Sequence, residues 1–420
     1  MDRYTETTYT SYGQNIGNSF KGIFLGIIFL IGSIILLWWN EGRSVEQATA
    51  LKEMQEKITT LPSTSYDAQY ENKAVLVQGK VTPLETLVDP EFGVKSDGLI
   101  LSKSVEMYQW NEKSSSKTQD KLGGGTETIT TYDYVKEWSS TQIDSSSFKR
   151  PMGHQNPMMT RKSGYYVSPA QMGDFSLDTS MVSHIGAYKT YTGLSSMPDY
   201  IGDAKNYKSF LYLGINPQTP MIGDMKITYL YAPSATYTYA AKEEGKSLVP
   251  YVTENGKSFV FVRQGKVDSM TIFKEELDAN SLMTWILRGV GLLIMFFGFT
   301  MIMGPLATLA KVIPMLGSLM GGVTSIIAAA LTLVLGSIII ALAWFSSRPL
   351  LSLAIIAVGI GIAFALGKLG KKSVETVKET YTESDVPSSP PSRENTPPAR
   401  APKREENTTE EAGTPPPREG

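Results

Sequence analysis

His154 is the residue in this sequence with the widest chemical range. It lies in Gly153-His154-Gln155-Asn156-Pro157. An imidazole in a Gly- and Pro-bounded loop can serve as a base, as a ligand, or as a hydrogen-bond partner that organises the loop. The last role is the expected one. Glu106 and Glu137 fall on two candidate paired strands, where they could face each other as glycosidase carboxylates do. The commoner fate of such residues is to face solvent or pair with lysine. A Ser–His–Asp set would need an elbow such as GxSxG to expose its nucleophile, and the chain has none. Gly123-Gly124-Gly125 lacks a following Lys-Ser/Thr and cradles no phosphate. Asp133, Asp174 and Asp178 lack EF-hand spacing. The chain has no cysteine and only two histidines, His154 and His184. Thiol catalysis, disulfides and Cys-based zinc or iron–sulfur sites are therefore excluded, and a multi-histidine metal centre nearly so. The expectation is no catalytic constellation, no cofactor and no metal, with His154, Glu106 and Glu137 as the residues an enzymatic reading would have to use.

The elements that position these residues follow from a segregated composition. The 420 residues carry 39 Lys plus Arg against 41 Asp plus Glu. That balance argues against a chain whose work is coating nucleic acid. Apolar residues concentrate near residue 30 and again from 285 to 367. Gly22 to Trp39 has no charge, is nearly long enough to cross a bilayer, and ends in Trp38 and Trp39, which suit the interface. WWNEGR follows where a signal peptide would need small residues, so the reading is an uncleaved anchor. Residues 284–303 form a second span with Arg288 near its start, placed to snorkel to headgroups. Residues 304–322 hold two prolines, several glycines and Lys311, which suits an interfacial or re-entrant piece. Residues 323–345 and 350–367 form the third and fourth spans, joined tightly through Arg348-Pro349.

Four spans put both termini on one side and the middle domain on the other. Lys21, Lys311 and Lys368 to Lys378 flank one face, so the termini (residues 1–21 and 368–420) are read as cytosolic and residues 40–283 as periplasmic or lumenal. Gly22 and Gly26, and the ladder Gly359, Ala363 and Gly367, allow close helix approach, either between copies or within one bundle. No carboxylate lies inside the spans, which argues against a proton-coupled transporter.

The middle domain opens with a capping pattern at Ser44 and Gln47 and a helix carrying Val45, Ala48, Leu51, Met54, Ile58 and Leu61 at apolar spacing. Its far end, Ile272 to Leu282, reads as a helix entering the second span. Between them lie strand-like runs, including Ala74 to Val81, Leu99 to Trp110, Thr128 to Trp138 and Met225 to Tyr231, with Leu122 to Gly125 closing a long hairpin. The fold class is a four-helix multi-pass membrane protein with an inserted α+β, β-rich domain, barrel- or sandwich-like. The domain holds 17 of the 21 tyrosines, expected in its core rather than stacked on bases. Residues 387–420, with nine prolines, read as a disordered polar tail.

The chain resembles the transmembrane protein 43 (LUMA) family. The strings that carry the resemblance are Asn40-Glu41-Gly42-Arg43, Asp89-Pro90 with Phe92-Gly93-Val94, Val105-Glu106-Met107-Tyr108-Gln109-Trp110, Glu137-Trp138, Gly153-His154 with Asn156-Pro157, Gly223-Asp224 and Arg348-Pro349. The resemblance implies four spans, a large extracytosolic domain and no established catalytic residue. It also implies an endoplasmic reticulum and inner nuclear membrane setting, with a role in nuclear envelope organisation, in animal members. The Pro-rich tail and a sequon confined to Asn407 point instead to a bacterial member in the inner membrane. The expected function is a non-enzymatic membrane scaffold that binds lipid, membrane or envelope proteins and further copies of itself, and no nucleic acid. The alternatives are a membrane-bound hydrolase or lipid-handling enzyme using His154, and a channel-modulating protein.

Overall fold

The computed structural model describes residues 2–344, 357–361 and 364. Strand β1 (Asp2–Thr10) precedes α1 (Tyr12–Lys57). The β-rich region contains β2 (Ala74–Pro83), β3 (Ile100–Asp120), β4 (Thr126–Ser139), β5 (Ala170–Met172), β6 (Phe175–Leu177), β7 (Met225–Ala232), β8 (Ala235–Glu244) and β9 (Ser247–Val249). Helices α2 (Ser269–Ile302), α3 (Gly304–Ala310) and α4 (Pro314–Trp344) follow.

α1 is one unbroken helix of 46 residues, about 69 Å at 1.5 Å per residue. Its cap is Ser11, which forms a capping box with Gln14. The pattern at Ser44 and Gln47 is not used as a start. The charge-free anchor runs into the amphipathic segment without a proline between them, and Ser44 is buried against α2 instead. α2 is likewise continuous, capped by Asp268 through the Thr271 N–H. α1, α2 and α4 are each long and apolar enough to cross a membrane. The stretch 304–322 divides into the short α3, with Pro305 in its first turn, and the beginning of α4. The expected fourth span lies largely outside the described residues, although 357–361 are helical. Arg348, Pro349 and the tail also lie outside them.

Two sheets make up the domain. Strands β2, β5, β6, β9 and β8 pair in a ring that closes back on β2, a five-stranded barrel. β2 alternates between two cores. Val75, Val77 and Val81 point into the barrel with Phe175, Tyr237 and Tyr239. Ala74 and Leu76 point outward against Leu51 and Met54 of α1 and Ile272 and Phe273 of α2. That double burial explains a strand with apolar residues in succession, where a half-exposed strand would alternate. The second sheet orders as β1-β4-β3-β7, extended by three short strands at 211–213, 204–206 and 200–201. β7 passes through Pro233-Ser234 directly into β8, so one chain segment serves both sheets. The β3–β4 hairpin turns at 121–125, where Gly123 and Gly124 take the left-handed backbone (φ +85° and +81°) that other residues rarely adopt.

Residues 2–10, read from sequence as part of a segment on the opposite membrane face from the domain, pair antiparallel with β4 along their whole length.

Candidate functional site

The densest buried polar cluster joins α1 to α2 where both helices leave the barrel. On α2, Asn280, Thr284 and Arg288 recur every four residues and so share a face. On α1, Asn40, Glu41, Arg43 and Ser44 meet them. Arg288 Nε and Nη2 donate to Glu41 Oε1 and Oε2 at 2.6 and 2.7 Å. Asn40 Nδ2 donates to the Thr284 carbonyl (3.1 Å), Asn280 Nδ2 to the Ser44 carbonyl (3.0 Å), and Arg43 Nη1 to Asn280 Oδ1 (3.1 Å). Glu41 is fully buried and Arg288 is 6% exposed. The expected snorkelling of Arg288 is therefore replaced by a bidentate ion pair: Glu41 lies within reach, and the guanidinium fork fits a carboxylate better than scattered headgroup contacts. Below this seam the helices touch at glycine. A Cβ on Gly26 would stand 2.7 Å from the Gly298 carbonyl oxygen. The first small-residue pair thus serves packing within this chain.

His154 is buried and caged. Its ring stacks on Tyr134 (3.9 Å) and meets Trp110 edge-on (4.8 Å). Nδ1 lies 2.9 Å from the Arg150 carbonyl and Nε2 lies 3.0 Å from Asp2 Oδ2. Both ring nitrogens are engaged, so neither is left to take a substrate proton. Asn156 clamps the neighbouring backbone. Its Oδ1 accepts from the Trp110 N–H (2.7 Å) and its Nδ2 donates to the Trp110 and Ile143 carbonyls. Pro157 packs on Gly223 (φ +97°), where a Cβ would approach it to 2.8 Å. Gly153 to Pro157 thus organises a loop against the hairpin.

Glu106 and Glu137 do not face each other. Glu137 stands opposite Gln109, three residues from Glu106. An odd offset places the two on opposite faces of the sheet. Glu106 pairs with Lys226 across β7 (3.0 Å). Glu137 accepts from Lys113 (2.7 Å) and Asn111 (2.6 Å), which hold its carboxyl below the usual range. A glycosidase-like pair is absent here. On the Glu106 face, Tyr108 packs on Trp138 and Lys226 lies over the Trp138 ring. Asp224 anchors the adjacent turn by accepting from the Tyr212 hydroxyl (2.6 Å) and the Met221 N–H (2.9 Å).

Asp89 forms a second buried ionic cluster. Oδ1 accepts from Lys103 Nζ (3.1 Å) and the Tyr166 hydroxyl (2.8 Å), and Oδ2 from the Tyr229 hydroxyl (2.6 Å). Burial alone pushes the Asp89 carboxyl up. The hydrogen bonds from Tyr229, Tyr166 and Lys103 outweigh it and hold the group below its ordinary value. Burial and the Asp89 contact push the Tyr166 hydroxyl up to about 12. Sequence reasoning singled out Asp89 only through the resemblance and missed Lys103 and Tyr229, because no local spacing joins residues on three separated segments.

Glu243 was also missed. It is fully buried at one end of the barrel and neither carboxylate oxygen has a hydrogen-bond partner. Burial, with Glu71 and Asp67 nearby, pushes its carboxyl up. The parity of β8 could have flagged it: Tyr237, Tyr239 and Ala241 point inward, so residue 243 does too. Among the described residues, no three His, Asp or Glu side chains gather to hold a metal ion. Gly42 is exposed, and a Cβ there would touch nothing.

A profile of the family described as Transmembrane protein 43 matches residues 107–349. The chain is 30% identical to human Transmembrane protein 43 over 358 residues, covering 81% of this chain and 88% of the relative. It is 29% identical to the mouse protein over 364 residues (83% and 90%). It is also 29% identical to the Drosophila melanogaster homolog over 350 residues (80% and 91%). No solved structure matches the chain.

Proposed function

This chain belongs to the transmembrane protein 43 family of membrane proteins, and from that premise we propose that it is a non-enzymatic integral membrane scaffold. The apolar helices anchor it, and the β-rich domain meets membrane or envelope proteins on the extracytosolic face. One observation carries this reading. The seam from Asn40 to Ser44 and from Asn280 to Arg288 locks together the two apolar helices whose far ends pack on the outside of the barrel. A domain clamped to its anchors in this way transmits position and holds a partner at a fixed height above the bilayer. The test is crosslinking in native membranes. Capture of stable partners or of further copies supports the scaffold, and a monomer without partners overturns it.

The hydrolase reading rests on the 3.0 Å contact of His154 with Asp2. It is the weaker reading, because the ring stacks on Tyr134, meets Trp110 edge-on and keeps Nδ1 on the Arg150 carbonyl, and Nε2 on Asp2 while β1 is paired. Its test is His154→Ala: hydrolytic activity lost from a folded protein would restore it.

A further inference from the structure

Strand β1 and the outer part of the β3–β4 hairpin make a three-stranded arm beside the apolar helices. The hairpin leaves the domain at Met107 and Ser139 and remains paired to Asp120 and Thr126, a reach of about 44 Å. Its tip touches the far end of the helices. The Gly123 N–H donates to the Val312 carbonyl (3.2 Å), Asn15 Nδ2 to the Gly124 carbonyl (3.0 Å), and Lys311 lies 3.0 Å from Asp120. Between tip and domain, α1 carries its charge-free segment, with Phe24, Ile28 and Ile35 exposed.

The arm itself is polar on both faces. Residues 2–10, 111–120 and 126–134 include nine charged side chains. Among the described residues β1 is the outermost strand of the sheet, with no strand on its outer edge. A strand edge of this kind finds no hydrogen-bond partners in hydrocarbon, and ionised side chains are expelled from it. β1 joins α1 through Ser11 alone, so β1 stays with the N-terminal end of the helix. The hairpin is rooted in the domain at the other end. Once α1 crosses a bilayer, those two ends lie on opposite faces.

We infer that β1 is an exchangeable strap: it covers the β4 edge while the apolar helices are outside a bilayer, and it leaves β4 when α1 spans one. The inference rests on the reading of α1 as a membrane span. Insertion then breaks the Asp2 contact with His154 and the Arg3–Asp133 pair. It also leaves the edge of Thr126–Tyr134 without its β1 partner.

The chain has no cysteine, so engineered pairs report cleanly. Thr5 faces Thr131 and Glu6 faces Thr130; adjacent pairs in an antiparallel ladder alternate in geometry, so one of the two suits a disulfide. Two full-length variants, Thr5→Cys with Thr131→Cys and Glu6→Cys with Thr130→Cys, would be made by cell-free synthesis, with lipid vesicles or with detergent alone. Thr118→Cys with Thr128→Cys, opposed within the hairpin, controls for oxidant access. The expected result is closure of a strap disulfide in detergent and its loss in the carbonate-resistant vesicle fraction, where the hairpin control still closes. Strap closure in that fraction overturns the inference, as does failure of both strap pairs to close in detergent. Release of the protein by carbonate is a separate failure, of the membrane reading itself.

Discussion

The Glu41–Arg288 pair allows the sharpest prediction. Both side chains are buried, and the contact is bidentate at 2.6 and 2.7 Å. Removing one partner of such a pair strands a buried charge and costs about 3–5 kcal/mol, whereas replacing both with apolar residues of similar size is about neutral or stabilising. Arg288→Ala should therefore lower the thermal midpoint of the purified full chain in nanodiscs by at least about 6 °C, taking about 2 °C per kcal/mol for a large domain. Glu41→Leu combined with Arg288→Met should recover most of that loss. The assay is thermal unfolding of wild type, both single variants and the double variant, read as a cycle. If Arg288→Ala costs less than about 1 kcal/mol, as a solvated surface pair would, the pair is not buried as described and the seam does not hold the helices together.

Other predictions follow from the same physics. Glu243 is buried without partners and its carboxyl is raised. The raised group contributes fully below the unfolded value of about 4.3, and that contribution fades as pH climbs through the folded value. Wild type should thus lose stability relative to Glu243→Gln as pH rises from below the ordinary carboxylate value; parallel pH profiles of the two thermal midpoints would refute it. Gly26→Val places a side chain against the Gly298 carbonyl, 2.7 Å from even a Cβ, so it should cost about 1–3 kcal/mol through forced helix separation. Gly42→Ala, exposed inside α1 with open space around it, should stabilise by about 0.5–1 kcal/mol in the same thermal assay. Asp89→Ala leaves Lys103 paired with Glu91 alone and strands the Tyr166 and Tyr229 hydroxyls, and should cost about 3 kcal/mol, while Tyr229→Phe removes one hydrogen bond to the carboxylate and should cost about 1.5–3 kcal/mol. Denaturant midpoints that rank these two in the other order would contradict the ionic reading of the cluster.

The parts of the fold visible in the sequence were those with a local signal. The run from Ala74 to Val81, the Gly-rich turn at 122–125 and the apolar spacing of Leu51 and Met54 each declare themselves within ten residues. β1 did not, because Asp2 to Thr10 carries Thr and Tyr but no apolar face, and its partner lies more than 100 residues away. The ion pair of Glu41 with Arg288 was invisible for the same reason: each residue sits at the end of an apolar stretch, where a solvated charge is the default reading. Candidate site residues fared unevenly. His154, Asn156 and Pro157 do act together on one loop, since their spacing is local. Glu106 and Glu137 were separated by a register that only the paired backbone defines. A one-residue change in register moves a side chain to the other face of a sheet, and no composition argument resolves that.

The central claim is that apolar helices hold this chain in a bilayer with the β-rich domain on one face. Alkaline carbonate extraction of native membranes, followed by impermeant maleimide labelling of a single cysteine at exposed Ser146, tests it most directly. The expected result is a chain retained in the membrane pellet and labelled from one side only. A chain released intact into the supernatant, or labelled equally from both sides of sealed vesicles, would contradict it.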